Sequence, residues 1–240
     1  MHFTKNISEI LYPSRCPICG KVSNVTASCC PSCYDSISFV TQPYCYSCGK
    51  PLEKAEQEYC HDCISHPKSF TRGFALCIYD AVTKPSLSAI KYKNRRQYLS
   101  FYAQETIERY GSLLSSLSLD AIFPVPIHSR RMKKRGFNQA SLFAYEIGSV
   151  LQIPVYDTLL LRTHNTQPQK NLTPAQRLKN LQQAFDLHPD YRNRSIPLNR
   201  VLLVDDIYTT GATMEAITRL LLPHGVKEVY IFSICIGRGI

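Results

Sequence analysis

The chain of 240 residues contains no apolar run near the ~18 residues that a helix needs to cross a bilayer, which argues against a membrane span. Its first eleven residues lack an apolar h-region and carry Glu9, so no secretory signal is expected and the protein reads as cytoplasmic. A Gly-x4-Gly-Lys-[Ser/Thr] loop is missing, which argues against a P-loop nucleotidase. No helix-turn-helix is visible either, so a transcription regulator has little support. Acidic residues are scarce, 18 against 28 Lys and Arg, for a formal net charge of +10. Three tracts contain no Asp or Glu at all, between Asp80 and Glu105, between Asp120 and Glu146, and between Asp157 and Asp186. They hold Lys91, Lys93, Arg95 and Arg96, then Arg130, Arg131, Lys133, Lys134 and Arg135, then Arg162, Lys170, Arg177 and Lys179. Cations clustered in this way favour a polyanion, either pyrophosphate, nucleic acid or both.

What is present begins with sulfur. With 44% hydrophobic and 19% charged residues the chain can bury a core, and in a cytosolic setting its 11 cysteines point to metal before disulfide. Four Cys-x2-Cys knuckles stand in a row, Cys16/Cys19, Cys30/Cys33, Cys45/Cys48 and Cys60/Cys63. Each knuckle aims two sulfurs at one tetrahedral centre, so the pattern reads as a double zinc ribbon with two structural zinc ions. Gly20 and Gly49 follow the first knuckle of each half, where the backbone turns tightly under the metal. Spacing leaves open whether the knuckles pair in sequence or cross-brace. Cys29 adjoins Cys30, and Cys30 is preferred because it keeps the two-residue spacing. Eight thiolates and two zinc ions would lower the charge to about +6. Cys77 and Cys235 fall in apolar runs and read as core thiols.

The most informative stretch is residues 201–214. Four apolar residues, 201–204, read as a doubly buried parallel strand. Asp205 and Asp206 follow at its expected carboxyl end, where open α/β sheets bind ligands. Then come Thr209, Thr210, Gly211, Ala212 and Thr213, leading into a helical pattern that runs to Leu222. Free amides and hydroxyls at a helix start suit a phosphate, and adjacent carboxylates suit a vicinal diol. Together they describe a sugar phosphate, with ribose on the acids and its 5′-phosphate in the loop. Residues 201–213 resemble the signature of type I phosphoribosyltransferases, which bind 5-phosphoribosyl 1-pyrophosphate (PRPP).

The rest of the chain reads as follows. Residues 1–12 form a short amphipathic helix, residues 72–79 a strand, residues 82–91 and 97–110 helices, and residues 112–119 a serine-rich turn. A strand at 121–127 is followed by the basic segment 128–140 and a helix to Leu151. In the resembled family that basic segment is the pyrophosphate loop, and Arg135, Gly136, Asn138 and Gln139 are its candidate contacts. A short strand, 153–156, leads to the polar stretch after Leu161, which matches the family's mobile flap, with Arg162, Gln167, Gln169 and Arg177 as candidates. A last strand, 227–235, has no deducible sheet partner. The expected fold class is α/β, a type I phosphoribosyltransferase-like parallel sheet flanked by helices at 69–240, preceded by a small double zinc ribbon at 1–68.

The layout as a whole resembles the ComF family of competence proteins and their GntX-type relatives. Arg135-Gly-Phe-Asn-Gln-Ala140 and residues 204–213 carry the resemblance, with Arg162, Thr163, Gln167, Leu172, Arg177 and Asn180. It implies binding of PRPP with Mg²⁺, and a glycosyltransferase whose acceptor is unidentified. It also implies a role in DNA uptake for natural transformation, with single-stranded DNA and other competence machinery, such as a DNA helicase, as partners. The alternative is a zinc-ribbon module that binds single-stranded DNA and keeps the PRPP site as a regulatory or residual feature.

Overall fold

A computed structural model describes residues 14–22, 29–163 and 183–238, so the helix expected at 1–12 lies outside it. The ribbon region contributes two short helices, α1 (Pro31–Tyr34) and α2 (His61–Ser65). Then follow β1 (Arg72–Ile78), α3 (Thr83–Tyr92), α4 (Tyr98–Ser116), β2 (Ala121–Pro124), α5 (Ser129–Arg135) and α6 (Gln139–Leu151). The chain continues through β3 (Leu160–Arg162), β4 (Phe185–Leu187), β5 (Arg200–Tyr208), α7 (Ala212–Leu221) and β6 (Glu228–Ile236).

The main sheet is wholly parallel, in the order β1-β6-β5-β2, and places the last strand between β1 and β5. No local pattern names that partner, because crossover pairing is a long-range choice. Both faces are covered, as unbroken apolar strands require. Leu202 and Val204 meet one core with Leu87, Leu99, Tyr102, Phe143 and Ile147 from α3, α4 and α6. Val201 and Leu203 meet the other, with Ile217 and Leu221 from α7 and Leu160, Phe185 and Leu187 from the β3–β4 hairpin.

Several expected boundaries move. Helix α4 runs on to Ser116 through the stretch expected to be a turn, because Leu114 is fully buried and Leu113 packs on the same core. The strand expected at 121–127 pairs only over Ala121–Pro124, and that at 153–156 survives as the single bridge Ile122↔Val155. Strand β5 continues to Tyr208, four residues past the expected end, because β6 pairs with it up to Tyr208↔Ile236.

The two ribbons straddle the β1 edge. Each first knuckle closes the same turn: Gly20 N–H donates to Cys16 O and Gly49 N–H to Cys45 O, both at 2.9 Å. The linking segment lies along β1, with Val40 N–H to Leu76 O at 2.9 Å and Ile78 N–H to Ser38 O at 2.8 Å, so the strand edge is covered. Beyond it, Cys45, Cys48, Cys60 and Cys63 join the α7-side core, while Tyr34 and Phe39 pack on the α4 side. Tyr34 donates to Glu105 at 3.0 Å, and Arg109 stacks 3.6 Å from the Phe39 ring centre.

Backbones touch where the second ribbon meets β1. Gly73 N–H donates to Ser47 O at 2.6 Å, and a methyl at Gly73 would sit 2.9 Å from Cys48 O and 2.8 Å from Ile231 Cγ1. Gly73→Ala is therefore expected to cost about 1–3 kcal/mol, as overpacking does. Urea unfolding measures it, and an unchanged midpoint would contradict this docking.

Candidate functional site

The helices after β2 and β5 leave on opposite faces, α6 toward one core and α7 toward the other. Between the carboxyl ends of such strands a crevice opens, where α/β sheets take ligands. Pairing on the β2 side stops at Pro124↔Val204, so residues 205–208 run on with only β6 beside them. Asp205 and Asp206 therefore lie within β5, on the part its β2 neighbour does not reach.

The two acids are held differently. Asp206 is buried and forms an ion pair with Lys91 from the last turn of α3. Asp205 accepts from the Asp206 N–H at 2.8 Å. Asp205 keeps some exposure, yet protein surrounds its carboxyl. Burial first, then the charge of Asp206 and a hydrogen bond shared with it, push that carboxyl well above the usual range. Lys91 was legible as a member of a basic tract, but its partner 115 positions away was not.

Beyond the acids, Tyr208 is buried, and Thr209 and Thr210 are exposed. Gly211 has φ +74, a conformation open to glycine, and a methyl there would collide with the Tyr208 hydroxyl. Ala212 and Thr213 begin α7, whose N-terminus has no side-chain cap, so its first-turn amides remain for an anion.

The opposite wall comes from the segment after β2. It is largely helical rather than a loop: α5 is capped at its start by His128, whose Nδ1 accepts from Arg130 N–H at 3.2 Å, and at its end by Gly136. Asn138 is occupied by structure, donating to Val125 O at 2.9 Å and accepting from Ala140 N–H at 3.1 Å as the cap of α6. Gln139 is buried and accepts from Arg135. Arg135 leans on the Tyr92 ring, 5.7 Å from its centre, within reach of the charges of Asp206 and Asp205. Burial lowers its guanidinium from the usual value, as it does that of Arg162. Arg162 stacks 5.2 Å from Phe185 and feels the charge of Asp205. Arg135 and Arg162 are thus charged neighbours of the acids at the end of β5, and the 209–213 turn follows those acids directly in the chain. Gln167, Gln169 and Arg177 lie outside the described residues.

The cysteines form two sets in chain order, Cys16, Cys19, Cys30 and Cys33, then Cys45, Cys48, Cys60 and Cys63, each with sulfurs within 4.8 Å of one another. Cross-bracing is thereby set aside. Neighbouring sulfurs lie 3.7 Å apart for Cys16–Cys30 and Cys48–Cys60, and 3.8 Å apart for Cys19–Cys30. A tetrahedron with metal–sulfur bonds of ~2.3 Å has edges of about 3.8 Å, so both sets fit zinc. Cys29 adds a fifth sulfur 3.6 Å from Cys16. Cys77 and Cys235 are buried register partners inside the sheet.

Family models match a double zinc ribbon domain over residues 7–64 and a phosphoribosyl transferase domain over residues 138–238. Competence protein F of Haemophilus influenzae is 36% identical over 115 residues, 48% of this chain and 49% of that protein. DNA utilization protein YhgH of Escherichia coli K12 is 27% identical over 72% of this chain and 75% of its own length. Competence protein ComFC of Bacillus subtilis is 29% identical over 67% of this chain and 62% of its own. The match thus spans about half of the first relative and up to three quarters of the others.

A carboxyl raised by folding contributes stability that is full below its unfolded pKa and lost as pH rises through the folded one. Asp205→Asn should therefore be more stable than the native chain at pH 7, the gap closing toward pH ~4, the region of an unperturbed Asp. Thermal melts at both pH values decide it, and a variant less stable at pH 7 would refute the assignment.

Proposed function

We propose that this chain, which is similar to competence protein F and the DNA utilization proteins and matches double zinc ribbon and phosphoribosyl transferase models, binds PRPP and transfers its phosphoribosyl group. One observation carries the reading. Two acids and an uncapped, glycine-entered helix start lie along one strand end and the turn after it, in the crevice between β5 and β2.

The 5′-phosphate rests on the amides of Gly211, Ala212 and Thr213 with the Thr209 and Thr210 hydroxyls. The ribose 2′- and 3′-hydroxyls donate to Asp205 and Asp206. Arg135, already poised beside the acids, balances the pyrophosphate, with Gly136 and Gln139 shaping the start of α6. Lys91 is the ion-pair partner that the ribose hydroxyls replace or share. In transfer the anomeric C–O bond breaks, its electron pair leaves with pyrophosphate, and a bond forms to the acceptor nucleophile. Cations near the leaving group stabilise the charge that develops there. Mg²⁺, when bound with PRPP, supplies further neutralisation of the pyrophosphate. Arg162, at the mouth of the segment read as a flap with Gln167 and Arg177, helps to exclude water from the ribosyl centre.

A second reading concerns DNA. Helix α5 exposes Arg130, Arg131, Lys133 and Lys134, and none of them forms an ion pair among the described residues. The names of the relatives support a role in handling DNA during competence, and such a helix suits the phosphates of a single strand. Binding there should weaken steeply with salt, and neutralising these four residues should flatten that slope.

Isothermal titration with PRPP and Mg²⁺ tests the first reading. The native chain should bind, and the double change Asp205→Ala plus Asp206→Ala should weaken binding roughly ten- to a hundredfold, the worth of lost hydrogen bonds to charged groups. No heat from the native chain, or equal affinity in the double variant, would count against it.

A further inference from the structure

The ribbons look like an appendage, yet the second one reaches the phosphate loop. We propose that Tyr208 makes the second four-cysteine site a positioning element of that loop, so that the metal held by Cys45, Cys48, Cys60 and Cys63 and the sugar phosphate held at residues 209–213 stabilise each other. The inference rests on the phosphoribosyl reading above.

Tyr208 is the last residue of β5, only 4% exposed, and belongs to the same apolar cluster as those four cysteines and Met214. Its ring is packed in that cluster on the side of the sheet where the second ribbon docks, and the backbone of that ribbon touches β1 at Gly73. The Tyr208 hydroxyl lies beneath Gly211, where any methyl would strike it. One ring is therefore buried in the core shared with the four cysteines while its hydroxyl underlies the turn that presents the helix amides. A second strut runs parallel to it. Ser69, at the exit of the ribbon, donates its N–H and its hydroxyl to Glu215, both at 2.7 Å. Glu215 is buried in the first turn of α7, the turn that would face the phosphate, and is also held by Arg219.

Packed cores have discrete arrangements, so a ring wedged between two sites transmits the state of one to the other. Without metal the four thiolates repel, the ribbon loosens, and the floor under Gly211 is lost. Linkage then requires the reverse: ligand in the loop must tighten the second metal site by the same factor. The first site is the internal control. Its ribbon packs through Tyr34, Phe39 and Ile18 against the opposite face, and none of its four sulfurs belongs to the buried cluster that contains Tyr208.

The test uses the full zinc-loaded chain. An organomercurial thiol reagent releases the zinc, and a colorimetric chelator reads it, with and without PRPP and Mg²⁺. Two release phases are expected, with Cys19→Ser removing the one that belongs to the first site. PRPP should slow only the second-site phase, by at least roughly fivefold, the lower end of ordinary coupling. Tyr208→Leu should still hold two zinc ions while losing this protection and weakening PRPP binding by a similar factor, and Tyr208→Phe, which keeps the ring, should retain both. If PRPP binds the native chain but slows neither phase, or slows both alike, the inference is overturned while the parent reading stands. Protection that persists in Tyr208→Leu overturns the role of the ring. Failure of the native chain to bind PRPP overturns both.

Discussion

The arrangement depends on one inequality of length. Strand β5 outruns β2 by four residues, and because α6 and α7 depart to opposite faces, nothing from the sheet fills the space beside those residues. Asp205 and Asp206 occupy that overhang, and the backbone then turns at Gly211 into α7. Were β2 to continue in register, its amides and carbonyls would occupy the side where the proposed sugar would lie. The acidic pair is costly to hold there, since Asp205 is pushed toward its neutral form by burial and by its neighbour. Lys91 offsets part of that cost at Asp206. Such strain without ligand is what a site built for a diol and its cationic escort would carry.

The ribbons belong to this network of contacts rather than standing apart from it. Small modules bury too little apolar surface to be stable alone, and metal usually makes up the difference. Here the second ribbon also merges its four cysteines with the core under α7, and the linker between the ribbons covers the β1 edge. The first ribbon is tied on the other face through Tyr34, Glu105 and Arg109. The close backbone approach at Gly73 and Cys48 leaves no room for these parts to slide.

What could be read from the sequence was local chemistry. The four knuckles, the apolar run 201–204, the acidic pair and the glycine turn each announce themselves within a few residues, whereas the pairing of the knuckles in chain order, which spacing left open, comes from the structure. What could not be read depended on distant partners. Strand β5 continues because β6 pairs with it, Asp206 meets Lys91 across 115 positions, and Tyr208 shares a core with the cysteines of the second ribbon, far earlier in the chain. Asn138 is a candidate contact by its place in the resembled pyrophosphate loop, and its amide caps α6 and holds Val125, partners the sequence does not name. Likewise α5 was hidden by its charge: seven residues with no buried face offer no hydrophobic periodicity to detect.

The central claim is that acids and loop hold opposite ends of one phosphorylated pentose. A crystal structure of the chain with ribose 5-phosphate measures this most directly. The account predicts the phosphate over the amides of residues 211–213 and the 2′- and 3′-hydroxyls on Asp205 and Asp206, with Lys91 displaced or shared. A sugar phosphate bound on α5 or elsewhere, with the acids still closed on Lys91 and the crevice vacant, would contradict it.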